Sequence, residues 1–185
     1  MRHATTLAAV TMLFIAGCAS APPPKAEAPA AKSTAKQGMA NLAAASGSLV
    51  SGRVALHPMA DGVHLGGTIG GFQPNSVHAI HVHEKGDCSA ADASSAGPHF
   101  NPSNSAHGRA NTATHHAGDM DNITAGADGT VTLNIHLSGV TLGGGAPNDI
   151  ANRALVVHAA ADDYTSQPAG NAGARVACAV IRVQQ

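Results

Sequence analysis

Residues 131–137 read Val-Thr-Leu-Asn-Ile-His-Leu, with an apolar side chain at every second position. A period of two puts Val131, Leu133, Ile135 and Leu137 on one face of an extended strand and leaves the other face polar. Runs of related pattern lie at Val50–Leu56, Val63–Ile69, Val77–His83, Ala154–His158 and Val176–Val183. Gly, Pro, Asn and Asp punctuate them, and Asp61-Gly62 is a hairpin-type pair between the first two. No stretch from Ser48 onward sustains helical spacing. The pattern predicts an all-β domain, an antiparallel sandwich or barrel of immunoglobulin-like architecture. Aromatics are only 2% of the chain, so its core has to be built from Val, Ile, Leu and Ala. Two long irregular segments interrupt the strands, Glu84–Asn122 and Ala159–Ala174. Long ordered loops in a compact domain are usually functional.

The N-terminus has a different character. Met1-Arg2 supplies a positive charge, and Leu7–Ile15 is apolar but too short to span a bilayer as a stable helix. The stretch ends in Ile15-Ala16-Gly17-Cys18, which resembles the bacterial lipobox, where small residues precede a cysteine whose sulfur carries the lipid. On this reading residues 1–17 are a lipoprotein signal peptide and the mature chain starts at Cys18. Ala19 follows where an Asp would favour inner-membrane retention. The expected location is therefore the periplasm and cell envelope, as an outer-membrane lipoprotein anchored through lipid on Cys18. Residues 18–47, with Pro22-Pro23-Pro24 and repeated Ala, show no sustained apolar periodicity and read as a flexible tether. A short helix over Met39–Ala45 is the one local structure that this segment suggests. The domain proper then spans 48–185. Lys and Arg number 10 against 11 Asp and Glu, with no basic block, which argues against nucleic acid as a partner.

Twelve histidines outnumber Lys and Arg together, and that points to metal. His81 and His83 are two apart in an extended run, so both face one side of a sheet and can grip one ion. His99, His107 and His116 lie in the first long loop, Asp119 follows His116 by three residues, and His158 ends a strand run. Imidazole suits copper and zinc, and three His with a carboxylate favour tetrahedral zinc. With Cys18 lipidated, Cys88 and Cys178 remain. In an exported chain such a pair most simply forms a disulfide, two thiolate metal ligands being the alternative.

These motifs, in order, resemble the copper/zinc superoxide dismutases. The match rests on His78-Ala79-Ile80-His81-Val82-His83-Glu84, Gly86-Asp87-Cys88, Ser95-Ala96-Gly97-Pro98-His99-Phe100-Asn101-Pro102, His107-Gly108, His116-Ala117-Gly118-Asp119, Ala154-Leu155-Val156-Val157-His158 and Gly170-Asn171-Ala172-Gly173-Ala174-Arg175-Val176-Ala177-Cys178. It covers roughly Ser48–Val183. It implies a Greek-key β-barrel, one copper and one zinc per chain, and conversion of two superoxide anions and two protons to hydrogen peroxide and oxygen by copper redox cycling. Copper would be held by His81, His83, His99 and His158. Zinc would be held by His99, His107, His116 and Asp119, with His99 a shared imidazolate that also delivers a proton to peroxide. Arg175 would guide the anion, Asp162 would link the two ligand sets, and Cys88–Cys178 would be the family disulfide. His78 would be structural. A monomer and a homodimer are both compatible with the resemblance.

Ala79-Ile80 stands where Gly-Phe is usual, which alters packing behind the copper ligands but removes none. No lysine lies between His158 and Arg175, so Lys85 is a candidate second guide for the substrate. His57, His64 and His136 fall on turns or polar strand faces, and His115 on the surface. Two other classes fit a histidine-rich exported sandwich, a copper-delivery or metal-storage lipoprotein and a surface-binding module. The shared ligand and Arg175 argue against both, since neither needs an imidazolate bridge or an anion guide.

Overall fold

The computed structural model describes Met1 and residues 31–184. The signal segment, Cys18 and the tether up to residue 30 lie outside the described residues. Ten strands follow one another: β1 (Gln37–Ala44), β2 (Ser51–Pro58), β3 (Gly62–Gly70), β4 (Val77–His78), β5 (Ile80–His83), β6 (Ile123–Thr124), β7 (Val131–Ser138), β8 (Ala154–His158), β9 (Arg175–Val180) and β10 (Arg182–Gln184). A single 3-10 turn at Ser94–Ala96 is the one helical piece among the described residues.

The main sheet runs β5-β8-β9-β1-β2-β3-β7, with β10 also paired to β1, and every named pairing is antiparallel. Ile80 and Val82 from one edge strand share a core with Val131, Leu133 and Leu137 from the other. The sheet therefore curls over one apolar interior, as a half-barrel does. Leu56, Leu65, Ile69, Ile80, Leu155 and Ile181 are fully buried there, so aliphatic side chains do the filling. Each strand–strand step keeps the alternation of the sequence, since slipping by one residue would turn the apolar set to solvent.

Strand β1 departs from the sequence reading. It lies inside the segment expected to be a tether, and where a short helix was suggested over Met39–Ala45 the chain is extended. Gly38, Ala40 and Leu42 face inward, while β1 pairs with β2, β9 and β10. The period of two is present, but the inward residues are mostly Gly and Ala, which give almost no hydropathy contrast against the alanines around them. Ordered structure reaches further back. The amides of Thr34 and Ala35 both donate to the Leu142 carbonyl, and Ser33 Oγ accepts from the Leu142 amide. The folded unit thus begins well before residue 48.

Two predicted runs are broken. Val77–His83 divides at Ala79, whose amide donates to the Ala160 carbonyl and whose carbonyl accepts from His158. Val176–Val183 divides at Ile181, which exchanges backbone bonds with Asn152 and Arg153. A third long connection, 139–153, accompanies the two anticipated ones. Buried Asp149 closes it by accepting from the amides of Gly143, Gly145 and Ala151 at 2.7–2.9 Å.

Candidate metal centre

Strand β5 carries His81 and His83 on one face and the core residues Ile80 and Val82 on the other. The first long loop then folds back along this strand. Phe100 donates to the Val82 carbonyl, Val82 to the Gly118 carbonyl and Gly118 to the Phe100 carbonyl, at 2.8–2.9 Å. This lacing sets His99 opposite His83 and Asp119 opposite His81 as backbone bridges. A Cβ on Gly118 would collide with the Val82 carbonyl, so only glycine lets the loop lie this close. Strand β8 pairs with β5, and a register irregularity between Val157 and His158 brings His158 to the same place. The Cys88–Cys178 disulfide, with Cα atoms 5.8 Å apart, ties the start of the loop to β9.

Two groups of four ligand atoms result. His81, His83, His99 and His158 form one and His99, His107, His116 and Asp119 the other, with the ligand atoms of each group within 4.8 Å of one another and every residue buried. His99 belongs to both. In the second group His99 Nδ1, His107 Nδ1 and His116 Nδ1 lie 2.9, 3.1 and 3.3 Å from Asp119 carboxylate oxygens, and His116 Nδ1 is 3.4 Å from His99 Nδ1. Ligands at the usual zinc distance of about 2.0–2.1 Å in a tetrahedron are about 3.3–3.4 Å apart. The donor set has the right spacing.

Tautomers make the case for cations stronger. His81 Nε2–H donates to Asp162 Oδ2 at 2.8 Å and His107 Nε2–H to Asp162 Oδ1 at 3.0 Å. His83 Nδ1–H donates to the Gly97 carbonyl at 2.8 Å, and His158 Nδ1 lies 3.4 Å from the Gly173 carbonyl. With the proton on the nitrogen that donates, the other nitrogen of each ring presents a lone pair inward. His83 Nε2 and His158 Nε2 are 3.3 Å apart, and with both protons on Nδ1 their lone pairs face each other. His81 Nδ1, His99 Nε2 and His107 Nδ1 are buried without a hydrogen-bond partner. Unpartnered buried acceptors cost free energy unless a cation fills the space, so the residues fit a metal in each group.

Burial keeps His81, His83 and His158 neutral near neutral pH. It lowers the His81 pKa to about 4, against the opposing pull of the Asp162 carboxylate. Burial and the nearby His99 lower His83 to about 2, and burial with the neighbouring His81 lowers His158 to about 3. Burial also lowers His116. Burial by itself would raise the Asp119 and Asp162 carboxyls. For Asp119 the hydrogen bonds from His99 and the His116 amide outweigh that; for Asp162 those from His81, His107 and the Tyr164 amide do. Both end below the usual carboxylate range.

Asp162 is held in turn. Its amide donates to Asn122 Oδ1, and its carbonyl accepts from Asn122 Nδ2. Gly170, at φ 66°, passes so close that a Cβ would strike the Asp162 carboxylate. Gln167 clamps His107 by accepting from its amide and donating to its carbonyl, each at 2.9 Å.

Above His83, His99 and His158 opens a cleft of about 980 Å³. Arg175 lines it, half-buried, with Nη1 and Nη2 donating to the Ala93 and Gly97 carbonyls at 2.7 Å. The Gly97 carbonyl thus fixes both Arg175 and His83. Arg153 lines the same cleft, stacked over Phe100 at 4.4 Å and donating to the Glu84 carbonyl. Sequence reasoning passed over Arg153, because it precedes the strand run ending in His158 and no motif includes it. Lys85, the second candidate guide, is absent from the lining of this cleft; its stem lies over Gly97. His78 bonds Ser76 Oγ and the His158 carbonyl, and so supports β8 from outside the ligand groups.

The copper/zinc superoxide dismutase (SODC) family model matches residues 50–181. A curated relative, the copper–zinc superoxide dismutase 2 of Aquifex aeolicus (strain VF5), is 45% identical over 115 residues, covering 60% of this chain and 67% of that protein. Among solved structures, the clock protein EA4 superposes with a TM-score of 0.73 at 35% identity, over 83% of this chain and 98% of its own. A SOD-like protein from Bacillus subtilis gives 0.70 at 32% identity, over 77% and 96%. Its double mutant, with a tyrosine and a proline each replaced by histidine, gives 0.71 at 34%, over 78% and 96%.

Proposed function

The chain belongs to the copper/zinc superoxide dismutase family, and from that premise we infer how its own residues divide the work. The protein is a superoxide dismutase that uses copper and zinc to turn two superoxide anions and two protons into hydrogen peroxide and oxygen. Bound copper supplies the one-electron couple for this exchange, and zinc, which has no redox chemistry, supplies a fixed charge. His81, His83, His99 and His158 would hold the copper, and His99, His107, His116 and Asp119 the zinc. Arg175 binds the anion at the cleft floor with N–H groups not spent on Ala93 and Gly97, and Arg153 adds a second positive charge to the wall. His99 Nδ1 faces Asp119 in the second group, which leaves the partnerless Nε2 placed to hold a proton and pass it toward the cleft. Asp162 orients His81 and His107 together, so the two ligand sets are positioned by one carboxylate.

The observation that carries this reading is the sharing of His99 between both ligand groups beneath a cleft that contains Arg175. A carrier of metal has no use for either. In metal-loaded protein, His99→Ala is expected to leave some copper bound, uncouple the two sites and sharply reduce superoxide removal measured by stopped flow. Full activity in that variant would overturn the shared-ligand assignment. We further propose that the enzyme is exported and tethered through lipid on Cys18, protecting the cell envelope. The lipobox-like Ile15-Ala16-Gly17-Cys18 and the Cys88–Cys178 disulfide support this, since such bonds persist in oxidising compartments.

A further inference from the structure

His107 sits between the two long loops, and one side chain holds its backbone. No strand includes it, and among the described residues its amide and carbonyl bond only Gln167, at 2.9 Å each. His107 is buried, so without that side chain both polar groups would lose their one protein partner. Gln167 itself is exposed, so what it contributes is these two bonds and not core packing. His116 and Asp119 are held differently. The His116 amide donates to Asp119 Oδ2 and the Asp119 amide to the His116 carbonyl, all within the first loop. His99 lies in a backbone bridge opposite His83 of β5. Of the four members of the second ligand group, His107 alone has its backbone held by the second long loop.

The turn that presents Gln167 is closed on itself. The Asp163 carboxylate accepts from the amides of Thr165 and Ser166 and from Ser166 Oγ, at 2.6–2.9 Å. The Gly170 amide donates to the Ser166 carbonyl, and the Asp163 amide to the Gly170 carbonyl. Gln167 Nε2 also lies 3.4 Å from the Thr165 carbonyl, so its nitrogen faces acceptors on that side. Asp162, the residue just before this turn, accepts from His107 Nε2–H at 3.0 Å. One short segment therefore grips His107 twice, Asp162 on the ring and Gln167 on the backbone. Together they aim Nδ1, the remaining nitrogen, at the second group.

We propose that Gln167 is a positioning residue for zinc: by holding the His107 backbone it governs how long zinc is retained, and it leaves copper retention alone. The proposal rests on zinc occupying the group of His99, His107, His116 and Asp119. The copper group has other supports, β5, β8 and the Gly97 carbonyl, so the two metals should respond differently. Protein loaded with both metals is incubated with EDTA, and the zinc and copper retained are counted over time. Cobalt(II) loaded in place of zinc reports the geometry of the site through its visible bands. Gln167→Met keeps the length of the side chain and loses both bonds. It should release zinc about tenfold faster, release copper at the parent rate, and shift the cobalt bands. Gln167→Glu keeps the bond from the His107 amide and loses the one to its carbonyl, so its zinc release should fall between those of the parent and Gln167→Met. Parent-like zinc retention in Gln167→Met overturns the proposal. So does equal acceleration of zinc and copper loss, which would mean a general loosening of the loop. A parent protein that shows no four-coordinate cobalt signal overturns the zinc assignment, and the proposal with it, before any variant is compared.

Discussion

At the scale of single residues, the centre is a problem of keeping imidazoles neutral and aimed. Asp162 accepts a hydrogen bond from His81 Nε2–H and the Gly97 carbonyl one from His83 Nδ1–H, so the lone pairs at His81 Nδ1 and His83 Nε2 point inward. Burial holds His81, His83 and His158 at about 4, 2 and 3, against 6.5 in the unfolded chain. Below 6.5 the unfolded chain binds protons at these three positions and the folded chain does not, until the pH nears the folded values. The sign is therefore fixed: stability of the demetallated protein falls as the pH drops. Between about pH 6 and pH 4.5 the slope should correspond to about three protons taken up on unfolding by these rings, with His116, also lowered by burial, adding to it. Denaturant titrations across that range check it, and a flat profile would show that the rings protonate in the folded state.

At the scale of elements, β1 has more consequence than its composition suggests. It joins the β9 side of the sheet to the β2 side and carries Ala40 and Leu42 into the core. Removing residues 1–31 should leave the melting temperature of the domain nearly unchanged. Removing residues 1–47 takes away the whole strand, opens the sheet at its middle, and should give a chain that does not fold cooperatively. Near-equal melting temperatures for the two truncations, followed by circular dichroism, would show that β1 is an ornament. The long loop 84–122 is the converse case. Its own backbone bonds are few, and β5, the disulfide and Asp162 determine its course. Its residues could be named from sequence because chemistry marks them, while its path could not be traced because no periodicity does.

At the scale of the whole molecule, charge works against the substrate. From Ser48 onward six Lys and Arg face ten Asp and Glu, so an anion is not drawn in by the net field and a local positive focus is required. Arg175 and Arg153 place positive charge in the wall of the cleft. In fully metallated enzyme, Arg175→Ala should lower kcat/KM and flatten its decline with rising salt, because steering beyond about 10 Å is screened near 0.1 M. An unchanged rate and salt slope would transfer the role to Arg153. Cys18→Ser, assayed by membrane fractionation, should release an active enzyme; unchanged membrane partition would remove the lipid anchor. The sequence by itself determined the all-β class, because a period of two admits little else, and it marked the ligand residues, because their donor atoms and order are chemically distinctive. Which nitrogen of each buried ring faces the ligand group, the pairing of β1 with three strands and Arg153 in the cleft wall were decided only by the tertiary structure. Each depends on register between segments far apart in the chain, and hydropathy read along one strand carries no information about what lies across from it.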